Sequence, residues 1–283
     1  MAWFGFGGVV TRFAVMIALL IFISLMLFSP EIINRGSEVE DVIEMEAGRA
    51  RITTLFDNYA HITGLETGWG FSCLIELKNE TVLFDTGADS AVLLRNMERL
   101  GKSAEEVDRV VLSHIHGDHT GGLSGVLKAN PNMTVYLLRS FPEDFKVNVK
   151  TYGSEVIEVS GPMKISESVM TTGELGTWIK EQSLLVKTKE GIIVITGCAH
   201  PGIVDIVRKA KDITNEEVYL VLGGFHLGEA SKLELERIIN EFRKLGVRKV
   251  SPTHCSGDLA KRMFAEEYGD DFIDNGVGKV IEE

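Results

Sequence analysis

The chain has 283 residues, which is enough for one large domain or two small ones. Hydrophobic residues make up 45% and charged residues 25% of the sequence, a balance that excludes a disordered chain. The formal net charge of -12, with no block rich in lysine or arginine, argues against nucleic acid as a partner. Three cysteines are an odd number and too few for a disulfide scaffold.

The first 28 residues predict a membrane anchor. Residues 13–28 are uncharged and apolar except for one serine. If the run is extended back to Val9, it reaches a length of about 20 residues, which a spanning helix needs. Arg12 lies near the start of this run and mainly acidic residues follow it, so the positive-inside rule predicts a single-pass protein of the cell membrane with its remainder outside the cytoplasm. A cleaved signal peptide is the alternative, but no small-x-small cleavage site follows Phe28.

Residues 29–50 predict a polar linker, and residues 51–283 are expected to form the folded domain. Hydrophobic periodicity and turn residues predict the elements of its first half: strands at 51–56, 71–77 and 81–84, a helix at 88–100, a strand within 105–112, a helix at 123–128 and a strand at 133–138. Residues 140–180 are less regular and are interpreted as an insertion or a lid, with strand-like pieces at 155–159 and 168–172.

The second half repeats the alternation of strands and helices. The same signals predict strands at 183–187 and 191–196, a helix at 203–211, a strand at 218–222, a helix at 230–245, a strand at 249–251 and a helix at 258–267. This order predicts an α+β fold in which two mixed sheets pack face to face with helices outside.

The densest group of chemically active side chains comes directly after the apolar strand that ends at Leu112. His114, His116, Asp118 and His119 fall within six residues. Imidazole and carboxylate groups at this density suit a borderline metal such as zinc. The alternative is a polar loop with chance histidines, which the position of the cluster after a buried strand disfavours.

Other chemically active residues also follow predicted strands. His200, His226 and His254 come after three later strands, and Asp85 ends the strand at 81–84. Because a rigid sheet presents the loops at one rim to a common site, we expect these histidines to complete the metal site. Asp85 is expected to cap the next helix or to orient a neighbouring ligand.

These residues resemble the metallo-β-lactamase superfamily. The resemblance is carried by Asp85-Thr86-Gly87, the signature His114-x-His116-x-Asp118-His119, and His254 at the end of a late strand. It covers about residues 51–283 and implies a four-layer αβ/βα sandwich with one or two metal ions, most often zinc, at one edge. Three further motifs are similar to a subgroup of dihydropterin-methyl-ribofuranosylaminobenzene-phosphate synthase-like proteins: residues 197–202, 223–227 and 254–257.

The resemblance implies ligands for two metal ions, the first bound by His114 and His116 and the second by Asp118, His119 and His254. His200 is the candidate for the remaining ligand of the first ion. Cys198 stands where many relatives have a bridging aspartate, and it is either a thiolate ligand or a buried structural cysteine. Glu181 is a candidate to supply the missing carboxylate.

The resemblance further implies hydrolysis of an ester, amide or phosphoester by a metal-bound hydroxide. In that reaction Asp118 would accept a hydrogen bond from the attacking water and His226 would protonate the leaving group, unless His226 only supports a ligand. One alternative is a transferase that joins a dihydropterin to a ribofuranosylaminobenzene phosphate, and another is a non-enzymatic metal-binding domain at the cell surface. The expected partners are a small-molecule substrate and the membrane.

Overall fold

A computed structural model describes Met1 and residues 44–283. Apart from Met1, the predicted anchor lies outside the described residues, as does the predicted linker up to residue 43. In the part of the chain that is described, no helix is both long and apolar enough to cross a membrane. The described end of the linker pairs with the sheets, because the Ala50 N–H donates to the carbonyl of Glu283 at 2.9 Å.

Two mixed sheets form the centre of the described domain. Their strands are β1 (Arg51–Phe56), β2 (Ser72–Glu76), β3 (Thr81–Phe84), β4 (Arg109–Val111), β5 (Thr134–Leu138), β6 (Glu155–Val159), β7 (Met163–Lys164), β8 (Val169–Thr171), β9 (Leu184–Thr188), β10 (Gly191–Thr196), β11 (Val218–Gly224), β12 (Lys249–Thr253) and β13 (Val280–Glu282). The strand order is β13-β1-β2-β3-β4-β5-β6 in one sheet and β12-β11-β10-β9-β8-β7 in the other. Strands β3 to β6 are parallel to one another, as are β10 to β12, so within each group the carboxyl ends share one edge.

Helices flank the two sheets. They are α1 (Ser90–Arg99), α2 (Gly117–Thr120), α3 (Leu123–Ala129), α4 (Glu143–Thr151), α5 (Ile203–Thr214), α6 (Lys232–Lys244) and α7 (Asp258–Tyr268). Apart from α2 and α4, each of these helices was predicted from its apolar periodicity. Asp89 is the N-cap of α1, because its carboxylate accepts hydrogen bonds from the N–H groups of Ala91 and Val92.

Strand β10 shows how the layers are held together. Its side chains alternate, so Ile193 and Ile195 pack in a buried cluster shared with the first sheet. Ile192 and Val194 pack in a second cluster with α5, α6 and α7. Burial on both faces explains why this strand is a continuous apolar run. The predicted α+β sandwich of two sheets is therefore confirmed.

The interpretation of residues 140–180 as an insertion or lid is wrong for most of that segment. It contains α4 and the edge strand β6 of the first sheet, followed by β7 and β8 of the second, and so carries the chain between the sheets. Val159 and Val169 are fully buried. The sequence shows no clear helical period for α4 because this helix buries only Lys146 and Val149.

Gly122 allows two loops of the domain to touch. An added Cβ at this position would lie 2.1 Å from the carbonyl oxygen of Thr86. We therefore expect Gly122→Ala to lower the free energy of unfolding by about 3 kcal/mol, because the neighbouring loop has to move. Urea denaturation measures this effect. Gly117→Ala is the matched control, since its added Cβ would meet no atom within 4 Å; equal losses in both variants would contradict the prediction.

Candidate metal centre

The side chains predicted to form the site meet at one edge of the two sheets. They follow the carboxyl ends of parallel strands or lie in the short helix α2, and they are His114, His116, Asp118, His119, Cys198, His200, His226 and His254. The backbone at this edge is strained, because Asp85, Ala199, His226 and His254 all have positive φ between 50° and 62°. Such conformations are uncommon outside glycine and cluster at functional sites, where the surrounding structure maintains them.

Two groups of side chains are arranged to hold a metal ion. In the first, one ligand atom from each of His114, His116 and His200 lies within 4.8 Å of the others. The second group, with atoms within the same distance, contains Asp118, His119, Cys198 and His254. Cys198 also groups with His200 and His226, so its thiol lies between the two sets of histidines.

Short distances define the second group. The Cys198 Sγ lies 3.2 Å from His119 Nε2. Asp118 Oδ2 lies 3.6 Å from His119 Nε2 and 3.5 Å from His254 Nε2. Burial alone would raise the pKa of Asp118, but the adjacent imidazoles of His254 and His119 hold that pKa below its ordinary range. Asp118 is therefore an ionised carboxylate, the form that binds a metal.

The residues present fit a metal ion. His254 Nε2 is buried and has no hydrogen-bond partner among the described residues, whereas Nδ1 of the same ring lies 2.9 Å from Asn58 Oδ1. A buried polar atom without a partner is costly unless something binds it. Imidazole nitrogen, carboxylate oxygen and thiolate sulfur together are a donor set that zinc accepts.

Asp85 holds two residues of the centre in place through hydrogen bonds. Its carboxylate accepts hydrogen bonds from the Ser113 N–H and the Ser113 hydroxyl, both at 2.6 Å, and lies 2.7 Å from His119 Nδ1. A carboxylate that accepts from Nδ1 leaves Nε2 of His119 free to bind a metal. Burial raises the pKa of Asp85 to about 7 and lowers that of His119 to about 4, so at neutral pH the imidazole is neutral, as a ligand must be.

The turn after β10 carries Cys198 and His200. Oε1 of Glu181 accepts hydrogen bonds from the N–H groups of Cys198 and Ala199, at 2.8 and 2.7 Å. Oε2 accepts from the His200 N–H at 2.9 Å and lies 2.8 Å from His200 Nδ1. Burial would raise the pKa of Glu181, but the hydrogen bonds of His200 lower it to about 2. Both oxygens therefore contact this turn, and Glu181 belongs to none of the possible ligand groups among the described residues, which favours a supporting role over the candidate role as a ligand.

His226 lies at the wall of an adjacent cavity. The cavity has a volume of about 550 Å³ and is lined by Trp69, His226, Cys255, the loop after His226 that contains Glu229, and Glu234 at the start of α6. The His226 ring is exposed and its centre lies 4.6 Å from that of His200. The adjacent Cys255 sulfur raises the pKa of His226. His61 is exposed and belongs to neither metal group.

Three residues of the site were missed by sequence reasoning. Asn58 contacts His254, Ser113 lies between Asp85 and His114, and Asp57 accepts a hydrogen bond from the Thr253 hydroxyl at 2.6 Å. The available signal was position, because Asp57 and Asn58 follow β1 and Ser113 immediately precedes the histidine signature. Turn chemistry explains Asp57 and Asn58 equally well, so the sequence alone does not separate the two roles.

Comparison with known proteins agrees with this architecture. The profile of the metallo-beta-lactamase superfamily matches residues 70–155. The chain is 31% identical to the 7,8-dihydropterin-6-methyl-4-(beta-D-ribofuranosyl)-aminobenzene-5'-phosphate synthase of Methanocaldococcus jannaschii, with coverage of 82% of this chain and 96% of that protein.

Solved structures show the same likeness. Tm1679, a metal-dependent hydrolase of the beta-lactamase superfamily, superposes with a TM-score of 0.70 at 30% identity, covering 83% of this chain and 99% of that one. YhfI of Bacillus subtilis, a metallo-beta-lactamase fold protein, superposes with a TM-score of 0.61 at 17% identity, covering 83% of this chain and 100% of that one. The second likeness concerns the fold alone.

Proposed function

The chain belongs to the metallo-beta-lactamase superfamily, and on that basis we propose that it is a zinc-dependent hydrolase of an ester, amide or phosphoester substrate. One observation carries the proposal. Two groups of ligand atoms, each within 4.8 Å, lie side by side next to His226, and His226 lines a cavity of about 550 Å³. Tm1679, at 30% identity over nearly its whole length, is itself a metal-dependent hydrolase, which supports the same reaction class.

The protein groups have separate tasks in this reaction. Bound zinc supplies an activated water and polarises the carbonyl or phosphoryl oxygen. Asp118, which is half-buried, accepts a hydrogen bond from the attacking water and so orients it towards the substrate. Asp85 keeps His119 in the ligating tautomer, and Asn58 does the same for His254. Trp69 offers a flat apolar wall to the part of the substrate that fills the cavity.

His226 is the proposed general acid. It is exposed at the cavity wall, and its raised pKa keeps more of the imidazole protonated near neutral pH. We expect His226→Ala to lower kcat by about 10²-fold, because general acid catalysis typically contributes that much or more. Zinc content should not change. Steady-state kinetics and metal analysis measure both quantities, and loss of zinc from this variant would show that His226 acts as a ligand instead.

A synthase of the dihydropterin type is a second candidate, and identity to a named synthase over 82% of this chain supports it to a comparable degree. The aromatic wall at Trp69 and the carboxylates of Glu229 and Glu234 suit a planar substrate that carries N–H donors. Incubation of zinc-loaded protein with ester, lactam, thioester and phosphodiester panels, and separately with a dihydropterin and a ribofuranosylaminobenzene phosphate, decides between the two. Turnover in only one set identifies the reaction class, and turnover in neither supports a non-enzymatic metal-binding domain.

A further inference from the structure

Glu181 is a buried carboxylate that serves a single turn. Its side chain is fully buried, and all four of its hydrogen bonds go to residues 198–200. Burying a charge is costly unless the charge is fully hydrogen-bonded. The role of this carboxylate is therefore to be found in the residues that donate hydrogen bonds to it. Those partners are two candidate ligands, Cys198 and His200, and the residue between them.

The turn needs an anion to keep its shape. Ala199 has a φ of 62°, and this left-handed residue points three successive N–H groups, from Cys198 to His200, to the same side. Successive N–H groups in this arrangement form a concave nest that binds anions. Glu181 fills the nest from a neighbouring loop, so the side chains of Cys198 and His200 are free to point towards the metal groups.

The same carboxylate selects the tautomer of His200. An ionised carboxylate only accepts hydrogen bonds, so the 2.8 Å contact with Glu181 Oε2 requires the proton of His200 to be on Nδ1. The lone pair then lies on Nε2, the nitrogen left to bind a metal.

Gln182, next to Glu181, contacts the residues that directly precede His114 of the first metal group. The Gln182 N–H donates to the Ser113 carbonyl at 2.9 Å, and the Gln182 side-chain amide donates to the Leu112 carbonyl at 2.8 Å. Ser113 directly precedes His114. The dipeptide Glu181–Gln182 therefore connects the strand end that carries His114 to the turn that carries His200.

We propose that Glu181 is the positioning residue of the first metal group: it holds the 198–200 turn and keeps His200 in the tautomer that binds metal. This inference rests on the proposed function, because it assumes that His114, His116 and His200 bind a metal ion. Loss of Glu181 weakens metal binding by this group. The second group keeps three ligands that Glu181 does not contact, namely Asp118, His119 and His254.

The test is Glu181→Gln, which keeps the size of the side chain but replaces one acceptor oxygen by an N–H donor. Two of the four donors of the turn then lose their acceptor. His200→Ala should lose the zinc ion of the first metal group. We expect the same ion to bind about 10- to 100-fold more weakly in Glu181→Gln, as for other residues that orient ligands. Chelator competition measures the affinity. Nitrogen NMR of the metal-free protein should show less of the Nδ1–H tautomer of His200.

Glu76→Gln is the matched control, because it breaks a 2.6 Å pair with Lys102 away from the ligands and should leave zinc affinity unchanged. Glu181→Gln is also made in the His200→Ala background. There we expect less than a twofold further effect on the remaining zinc, and a further tenfold loss would show general damage and overturn the inference. Wild-type protein that binds no metal contradicts the proposed function, whereas tight zinc binding by Glu181→Gln at both groups contradicts only the role of Glu181.

Discussion

His116→Ala is expected to lower kcat/KM by about 10³-fold or more, because loss of a ligand removes several kcal/mol of transition-state stabilisation by the metal. His116 belongs to the group of three histidines, and in the described part of the chain no carboxylate contacts its ring and holds it in place without a metal. Its side chain is only half-buried, so the fold should persist. Kinetics on a confirmed substrate and thermal unfolding measure these two effects, and metal analysis shows whether a metal ion is lost.

The chain offers a matched control for this substitution. His61 is exposed and lies in neither metal group, so His61→Ala should keep full zinc content and turnover within about twofold. Full turnover by His116→Ala would discard the proposed hydrolytic mechanism. If His116→Ala is largely unfolded at the assay temperature, the loss of activity would instead assign His116 a structural role.

Asp85→Ala is expected to lower the free energy of unfolding of the metal-free protein by about 3–5 kcal/mol, because it leaves three buried donors without their acceptor. The Ser113 N–H, the Ser113 hydroxyl and His119 Nδ1 would all lose the same carboxylate. Zinc binding by the second metal group should weaken as well, because His119 is no longer held in one tautomer. Urea denaturation in the presence of a chelator separates the first effect from the second.

Asp89→Ala is the control for Asp85→Ala. Asp89 also accepts two hydrogen bonds, but it is exposed and caps α1, so its loss should cost only about 1 kcal/mol. Equal stability of the two variants would contradict the assignment of Asp85 as a buried support of the centre.

The sequence was sufficient for most of the scaffold because each element carries its own local signal. The continuous apolar run of β10 and the apolar face of α6 both follow from the period of the element and the number of its faces that are buried. The superfamily, predicted from the Asp85-Thr86-Gly87 and His114 to His119 motifs, is confirmed by the comparisons. Helix α4 had no such signal, because its one buried charged residue, Lys146, breaks the apolar pattern.

The site shows a clearer division between sequence and tertiary structure. The sequence alone predicted the residue types of the centre, because each histidine that follows a predicted strand can be recognised separately. Which of them meet, and what orients them, depends on residues far apart in the chain, such as Asn58 and His254 or Asp85 and His119. Hydrogen bonds of this kind have no period and leave no trace in local sequence, so only the packing of the two sheets brought both oxygens of Glu181 against the turn of His200.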